Sequence, residues 1–259
     1  MDLRDQADDK RLAVIRGLLA KAEATQFPQE AEVFFAKASE LIARYAIDEA
    51  VLWASDGSDR AQPEELRLVV HAPYLAQKAV LVHAVARAHG CQAVRLLSGP
   101  GVSTEVVSVV GFPTDLRWVE TLVTSLLVQL TSAMLAGCPT GLSAAGSAGW
   151  RRSFIIGFAD EVETRLRQDR DHAVEDADAT EPAGNHGGGP PGAGSVALVL
   201  VERSEEVRDE FRRRFPRVRS SWASRGSSAE GHRAGRAAGR DAALTRDAVG
   251  GHRPLGQGR

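Results

Sequence analysis

His83, His89 and Cys91 are the first side chains along the chain with the chemistry of a metal site, since zinc takes histidine nitrogen and cysteine sulfur. Zinc ligands on a helix usually sit four residues apart. His83 and His89 are six apart, which is about 240° around a helix. That spacing turns them in different directions, and no metal site is expected. Cys91 stands among apolar neighbours, where a thiol behaves as a small hydrophobe. Cys138 follows a helical stretch, whose C-terminal end raises a thiol pKa. Structural roles are expected for both cysteines. Gly141-Leu142-Ser143-Ala144-Ala145 lacks the second glycine of a nucleophile elbow. Gly99-Pro100-Gly101 and the glycines around Gly187 lack the strand–turn–helix setting of a phosphate cradle. Asp160, Glu161 and Glu163 read as the charged face of a helix. The run Asp169, Asp171, Glu175, Asp176 and Asp178 does not follow EF-hand spacing. No catalytic set emerges, no cofactor is expected, and whether the chain is an enzyme stays open.

One pattern has geometry. Gly231, Gly235 and Gly239 recur every four residues, and Arg233, Arg236 and Arg240 recur beside them. On a helix the glycines would form a face for close packing and the arginines a basic face opposite. A guanidinium fork suits phosphate, so Arg233, Arg236 and Arg240 are candidate nucleic-acid contacts. Three glycines each cost about 1 kcal/mol in helix propensity, which favours a loosely ordered tail instead. The rival reading is a hydrolase-type enzyme with a site between helices and sheet, using His71, His83 or Asp115.

The elements that must position these residues follow from periodicity. Leu12, Ile15, Leu18, Leu19 and Ala22 recur at helical spacing. After Thr25-Gln26-Phe27, Pro28 suits a first helical position, and Glu30 and Glu32 suit the first turn of a second helix. Ala31, Phe34, Phe35, Ala38, Leu41, Ile42 and Tyr45 are its apolar stripe. Residues 9–48 thus predict two antiparallel helices with a short connection. Further on, strands are expected at Leu66–His71, Gln92–Leu97, Glu105–Val110 and Val196–Val201. Helices are expected at Tyr74–His89, Pro113–Leu135 and Trp150 to about Asp169, and from a cap at Ser204 towards Phe215. The fold class is α+β: a helical hairpin, then a small, mainly antiparallel sheet of about four strands covered by long helices.

The hairpin carries a resemblance. Ile15 to Thr25, Phe27 to Glu32 and Ala36 to Asp48, with Lys21-Ala22-Glu23 and Tyr45-Ala46-Ile47-Asp48 as their markers, resemble the bacterial domain-of-unknown-function family 2786. Ala24 and Ala46 depart from its usual Ser and Gly. Val109-Val110-Gly111-Phe112, Asp115-Leu116 and Trp150 to Phe154 are similar to the uncharacterised C-terminal domain that accompanies the module. The resemblance implies an architecture and no activity.

The organisation expected is a hairpin module at 1–56, a linker at 57–65, an α+β domain at 66–216 with a Gly/Pro-rich loop inserted at about 180–195, and a basic, partly disordered tail at 217–259. A net charge of −2 conceals asymmetry, because 12 arginines lie between Arg212 and Arg259 against Glu230, Asp241 and Asp247. Only four lysines stand against 28 arginines, which suggests a GC-rich bacterial genome. Two cysteines and no apolar N-terminal segment suggest a reducing, cytoplasmic setting. The greasy stretch Trp118 to Ala136 is broken by polar residues, so no membrane association is expected. The leading function is a non-enzymatic interaction or accessory protein with nucleic-acid contact through the arginine-rich tail. A protein partner or self-association through the hairpin is also open, as is a homo-oligomeric structural role.

Overall fold

The computed structural model describes residues 10–18, 21, 28–55, 60–97, 99, 101–180, 196–218 and 226–242. Helix α1 (10–18) and α2 (Pro28–Ser55) form the hairpin expected from periodicity. Leu12 and Ile15 of α1 are buried, as are Ala38, Ile42 and Ala43 of α2. Arg11 reaches from α1 onto the end of α2: its guanidinium lies 4.8 Å from the Tyr45 ring centre and within 3.7 Å of both Asp48 and Glu49. Tyr45 and Asp48, two of the residues that carry the family resemblance, therefore serve to close the hairpin. Thr25, Gln26 and Phe27, which connect the two helices in sequence, lie outside the described residues.

Three strands follow: β1 (Glu64–His71), β2 (Gln92–Leu96) and β3 (Thr104–Gly111). They form an antiparallel sheet in the order β1-β3-β2, with Leu68 opposite Val107 and Ala93 opposite Val109. Helix α3 (Leu75–Ala88) connects β1 to β2, and α4 (Pro113–Gly137) leaves β3 directly. Leu66, Leu68 and Val70 share one sheet face with Val107 and Val109 and pack against α3 and α4. Helix α4 is the described helix long and apolar enough to cross a membrane. Its apolar residues Leu116, Val119, Leu122, Leu126 and Leu130 recur at helical spacing and are buried in this core.

Helix α5 (Ala144–Thr180) is the scaffold against which α2, α3 and α7 pack. It extends beyond the expected Trp150 to Asp169 at both ends. Helix α6 (Val196–Arg214) corrects the expectation of a fourth strand at Val196–Val201, since the described sheet has three strands. The apolar run reads as a strand by composition alone. In space, Val196, Val199, Arg203 and Val207 are buried while Leu198 and Val201 face outwards, which is helical alternation. Ser204, taken as that helix's cap, instead lies within it and donates to the Leu200 carbonyl. Val199 and Val207 join Ala50, Trp53, Val110 and Phe112 in a second small core, so α6 covers part of the sheet's other face. The glycine-rich segment 183–194 lies outside the described residues.

Helix α7 (Ala229–Asp241) occupies part of what composition suggests is a loose tail. Its three glycines are buried against α5. A Cβ on Gly235 would lie 2.0 Å from the Phe154 carbonyl oxygen, and one on Gly231 2.5 Å from that of Trp150. The approach is mutual, because a Cβ on Gly157 of α5 would lie 2.2 Å from the His232 carbonyl. Two helix backbones thus touch along a seam that any larger residue would wedge apart. The contact offsets the roughly 3 kcal/mol by which three glycines weaken a helix. The Ser228 hydroxyl accepts from the Gly231 N–H at the helix start. At its other end, one Arg165 guanidinium nitrogen donates to the carbonyls of Gly239, Arg240 and Ala242.

Candidate functional site

A cleft lies where α2, the end of α3, the start of α4, α5 and α6 meet, and its making begins at the end of α3. Cys91 N–H donates to Ala86 O at 2.9 Å and Gly90 N–H to Arg87 O at 3.1 Å. This wrap needs a left-handed residue, which Gly90 supplies with φ 71°. His89 is thereby held at the helix cap. Arg170 of α5 lies over Gly90 and donates to the Ala88 carbonyl at 3.1 Å. A cation there also complements the negative end of α3.

Asp115 enters from the other side. Phe112 and Pro113 start α4, so Asp115 falls in its first turn. Arg203 of α6 donates to Asp115 Oδ2 at 3.0 Å, with side-chain exposures of 8% and 12%. The same guanidinium lies 3.9 Å from the Phe112 ring centre and reaches the Glu49 carbonyl of α2 at 3.5 Å. One arginine therefore ties the hairpin, α4 and α6 together. Ile42, Ala43 and Ala46 of α2, Leu166 of α5, and Leu200 and Val207 of α6 complete mainly apolar walls, with Asp169 beside Arg170. The cleft is partly open: the space free of protein atoms, open solvent at the mouth included, is about 550 Å³.

Burial sets the protonation of these groups. It lowers His89 to about 3, helped by the nearby Arg170 charge. It pushes the Cys91 thiol well up, with Asp115 adding to the effect. Burial also raises Asp115 above the ordinary carboxylate range, against the opposing pull of Arg203 and Arg170. At neutral pH the cleft thus holds a neutral imidazole, and the Cys91 thiol, buried in the core two residues further on, stays protonated. His89 Nε2 is buried and meets no hydrogen-bond partner among the described residues.

The residues named from sequence are not all brought together. Asp115 lies in the cleft. His71 is exposed and pairs with Thr104, at the end of the sheet remote from Gly111. Seven residues of strand separate those ends, roughly 24 Å. His83 lies six residues before His89 on α3, about 9 Å along its axis; burial lowers it to about 4, with Arg87 and Arg95 contributing. No group of three or more His, Cys, Asp or Glu side chains converges on a metal position among the described residues. Arg236 and Arg240 lie 2.8 and 3.6 Å from Glu161, and His232 lies 3.1 Å from Asp160, so α7 turns much of its charge towards α5. Arg233 is exposed.

Arg203 is the functional candidate that composition hides. It stands in the stripe Val196, Val199, Arg203, Val207, and a charge in an apolar stripe is the signal that marks it. Reading the segment as a strand followed by a capped helix conceals that stripe.

Residues 12–49 match a family model described as "Protein of unknown function (DUF2786)". The match coincides with α1 and most of α2, and does not extend to the remaining chain. Comparison with the curated proteins and with the solved structures finds no match.

Proposed function

We propose that this is a non-enzymatic binding protein that takes a small molecule in the cleft beneath its helical hairpin. One observation supports the reading above others: apolar walls from α2, α5 and α6 surround a few convergent polar groups, Asp115, Arg203, Arg170 and His89. That combination is the usual make-up of a ligand site. The protonation of Cys91 weighs against thiolate chemistry, because burial pushes the thiol up and keeps it protonated. The hairpin supplies one wall through Ile42, Ala43 and Ala46, so ligand and hairpin packing are coupled. An accessory role follows, with the hairpin's outer surface left for a partner.

Nucleic-acid contact through Arg233, Arg236 and Arg240 is the weaker reading, since two of the three already meet Glu161. The test is a ligand-observed NMR screen of small molecules against the protein and its Ala46→Phe variant, which fills the cleft. Hits that bind the protein and are lost in a folded Ala46→Phe variant are expected. Hits that bind both equally, or an absence of hits, would overturn the proposal.

A further inference from the structure

A helix lying on a protein surface ordinarily keeps its charged residues on the face turned away from the core. Helix α4 departs from this. Its side opposite the core carries Thr121, Thr124, Val128, Thr131 and Leu135, all within an arc of about 80°. Thr124 is exposed, Val128 and Leu135 are 39% and 58% exposed, and Thr121 and Thr131 are half-buried. No charged residue occurs from Thr121 to Gly149. The threonines add little polarity, because each hydroxyl donates back to its own helix. Thr121 bonds the Arg117 carbonyl at 2.9 Å, Thr124 that of Glu120 at 2.8 Å and Thr131 that of Leu127 at 2.7 Å. What the stripe offers a neighbour is methyl groups and aliphatic side chains.

The members of the stripe alternate three and four residues apart, the spacing of a seam between two helices. Crossing a bilayer would unpack the domain, because Leu116, Val119, Leu122, Leu126 and Leu130 on the other face are buried in the core. A second copy of the chain fits in one orientation. About a two-fold axis at Val128, Thr121 stands opposite the copy's Leu135 and Thr124 close to the copy's Thr131. The charged end of the helix, with Arg117 on the arc and Glu120 beside it, then meets the uncharged end of the copy. A parallel pair would instead set Arg117 against Arg117 and Glu120 against Glu120, which like charges oppose. Arg117 also comes to the carbonyl end of the copy's α4, whose last turn has no basic residue of its own. We infer that α4 is a self-association face, through which two copies of this chain pair as antiparallel helices about a two-fold axis at Val128.

The test is the mass of the full-length protein in solution, by light scattering and sedimentation over a wide range of concentration. A dimer is expected. Val128→Glu and Val128→Lys each set like charges together at the axis and should weaken association at least about tenfold. Mixing the two variants in equal amounts should restore the dimer, because opposite charges then meet; a variant that merely misfolds is not rescued by its counterpart. Leu135→Glu, at the more exposed position, should also weaken association and serves if neither Val128 variant folds. A monomer at every concentration would overturn the inference. So would a dimer that none of these substitutions weakens, or a mixture that fails to recover. Flotation with phosphatidylcholine–phosphatidylglycerol vesicles adds a second arm. A monomer that floats with them, and that Val128→Glu releases, would assign the stripe to a lipid surface and overturn the pairing of copies.

Discussion

Among the seams where arginine meets carboxylate, the cleft and the face of α7 against α5 do different work. In the cleft, Arg203 and Asp115 are 8% and 12% exposed, and the guanidinium also stacks on Phe112. Along α7, Arg236 and Arg240 are 48% and 56% exposed while their partner Glu161 is 9% exposed. At the α7 seam the arginines keep much of their contact with water, and the close fit of glycine against backbone holds the helix. In the cleft both charges have left water, so each depends on the other. The comparison separates a pair that fastens a surface from a pair that shapes an interior. It predicts that similar mutations at the two seams differ widely in cost.

The sharpest break comes from Asp115→Ala. Leaving Arg203 buried without its carboxylate should cost about 3–5 kcal/mol in urea unfolding. The double variant Asp115→Leu with Arg203→Met should recover most of that loss, because no buried charge remains. A recovery of less than half would mean that the pair contributes net stability, against expectation.

Next in size is Gly235→Val, which forces a side chain against the Phe154 carbonyl and should cost about 3 kcal/mol or undock α7. Gly17→Ala on the hairpin is the matched control, since a Cβ there meets nothing within 4 Å. It should be stabilising by up to about 1 kcal/mol. Similar losses for both variants in thermal unfolding would dissolve the argument for a tight α5–α7 seam.

Acid should act on the interior seam first. His89 and His83 have native pKa values of about 3 and about 4, depressed by burial from an ordinary value near 6.5. The unfolded chain therefore binds more protons as the pH falls below about 6.5, and stability drops with it. Each histidine contributes a slope of up to about 1.4 kcal/mol per pH unit between about pH 6 and 4. The raised carboxyl of Asp115 acts with opposite sign at the acid end of this window. His89→Gln should reduce the slope by about one proton, and an unchanged slope in pH-dependent denaturation would count against the buried neutral imidazole.

Smallest is the double variant Arg236→Ala with Arg240→Ala, expected to cost less than about 1 kcal/mol, since exposed pairs contribute little. A loss as large as that of Asp115→Ala would erase the distinction between the seams.

Much of this architecture is legible in the residues. The hairpin follows from the spacing of Leu12, Ile15, Ala38 and Ile42, and the three strands from β-branched runs bounded by glycine and proline. Helix α6 is misread because all six residues from Val196 to Val201 are apolar or alanine, so the pattern has no polar members to reveal a period. Helix α7 is legible as two faces, but whether it forms depends on what meets its glycines, and the partner backbone at Trp150, Phe154 and Phe158 lies about 80 residues earlier in the chain. The cleft is only partly visible for a similar reason. Asp115 and His89 are weighed from sequence, each for another role, whereas Arg203 and Arg170 join them from elements whose adjacency no local pattern encodes.

The strand order has a consequence for the path to this structure. The central strand, β3, is the last of the three in sequence. Strands β2 and β3 are joined by a short turn and can pair early, because closing a small loop sacrifices little chain entropy. β1 can join only after that ribbon exists, across a separation that includes all of α3. During synthesis on a ribosome, β1 therefore leaves first and waits unpaired. Rate measurements should place the β2–β3 ribbon in the folding nucleus and β1 after it, with substitutions at Val94 slowing folding and those at Val69 mainly hastening unfolding.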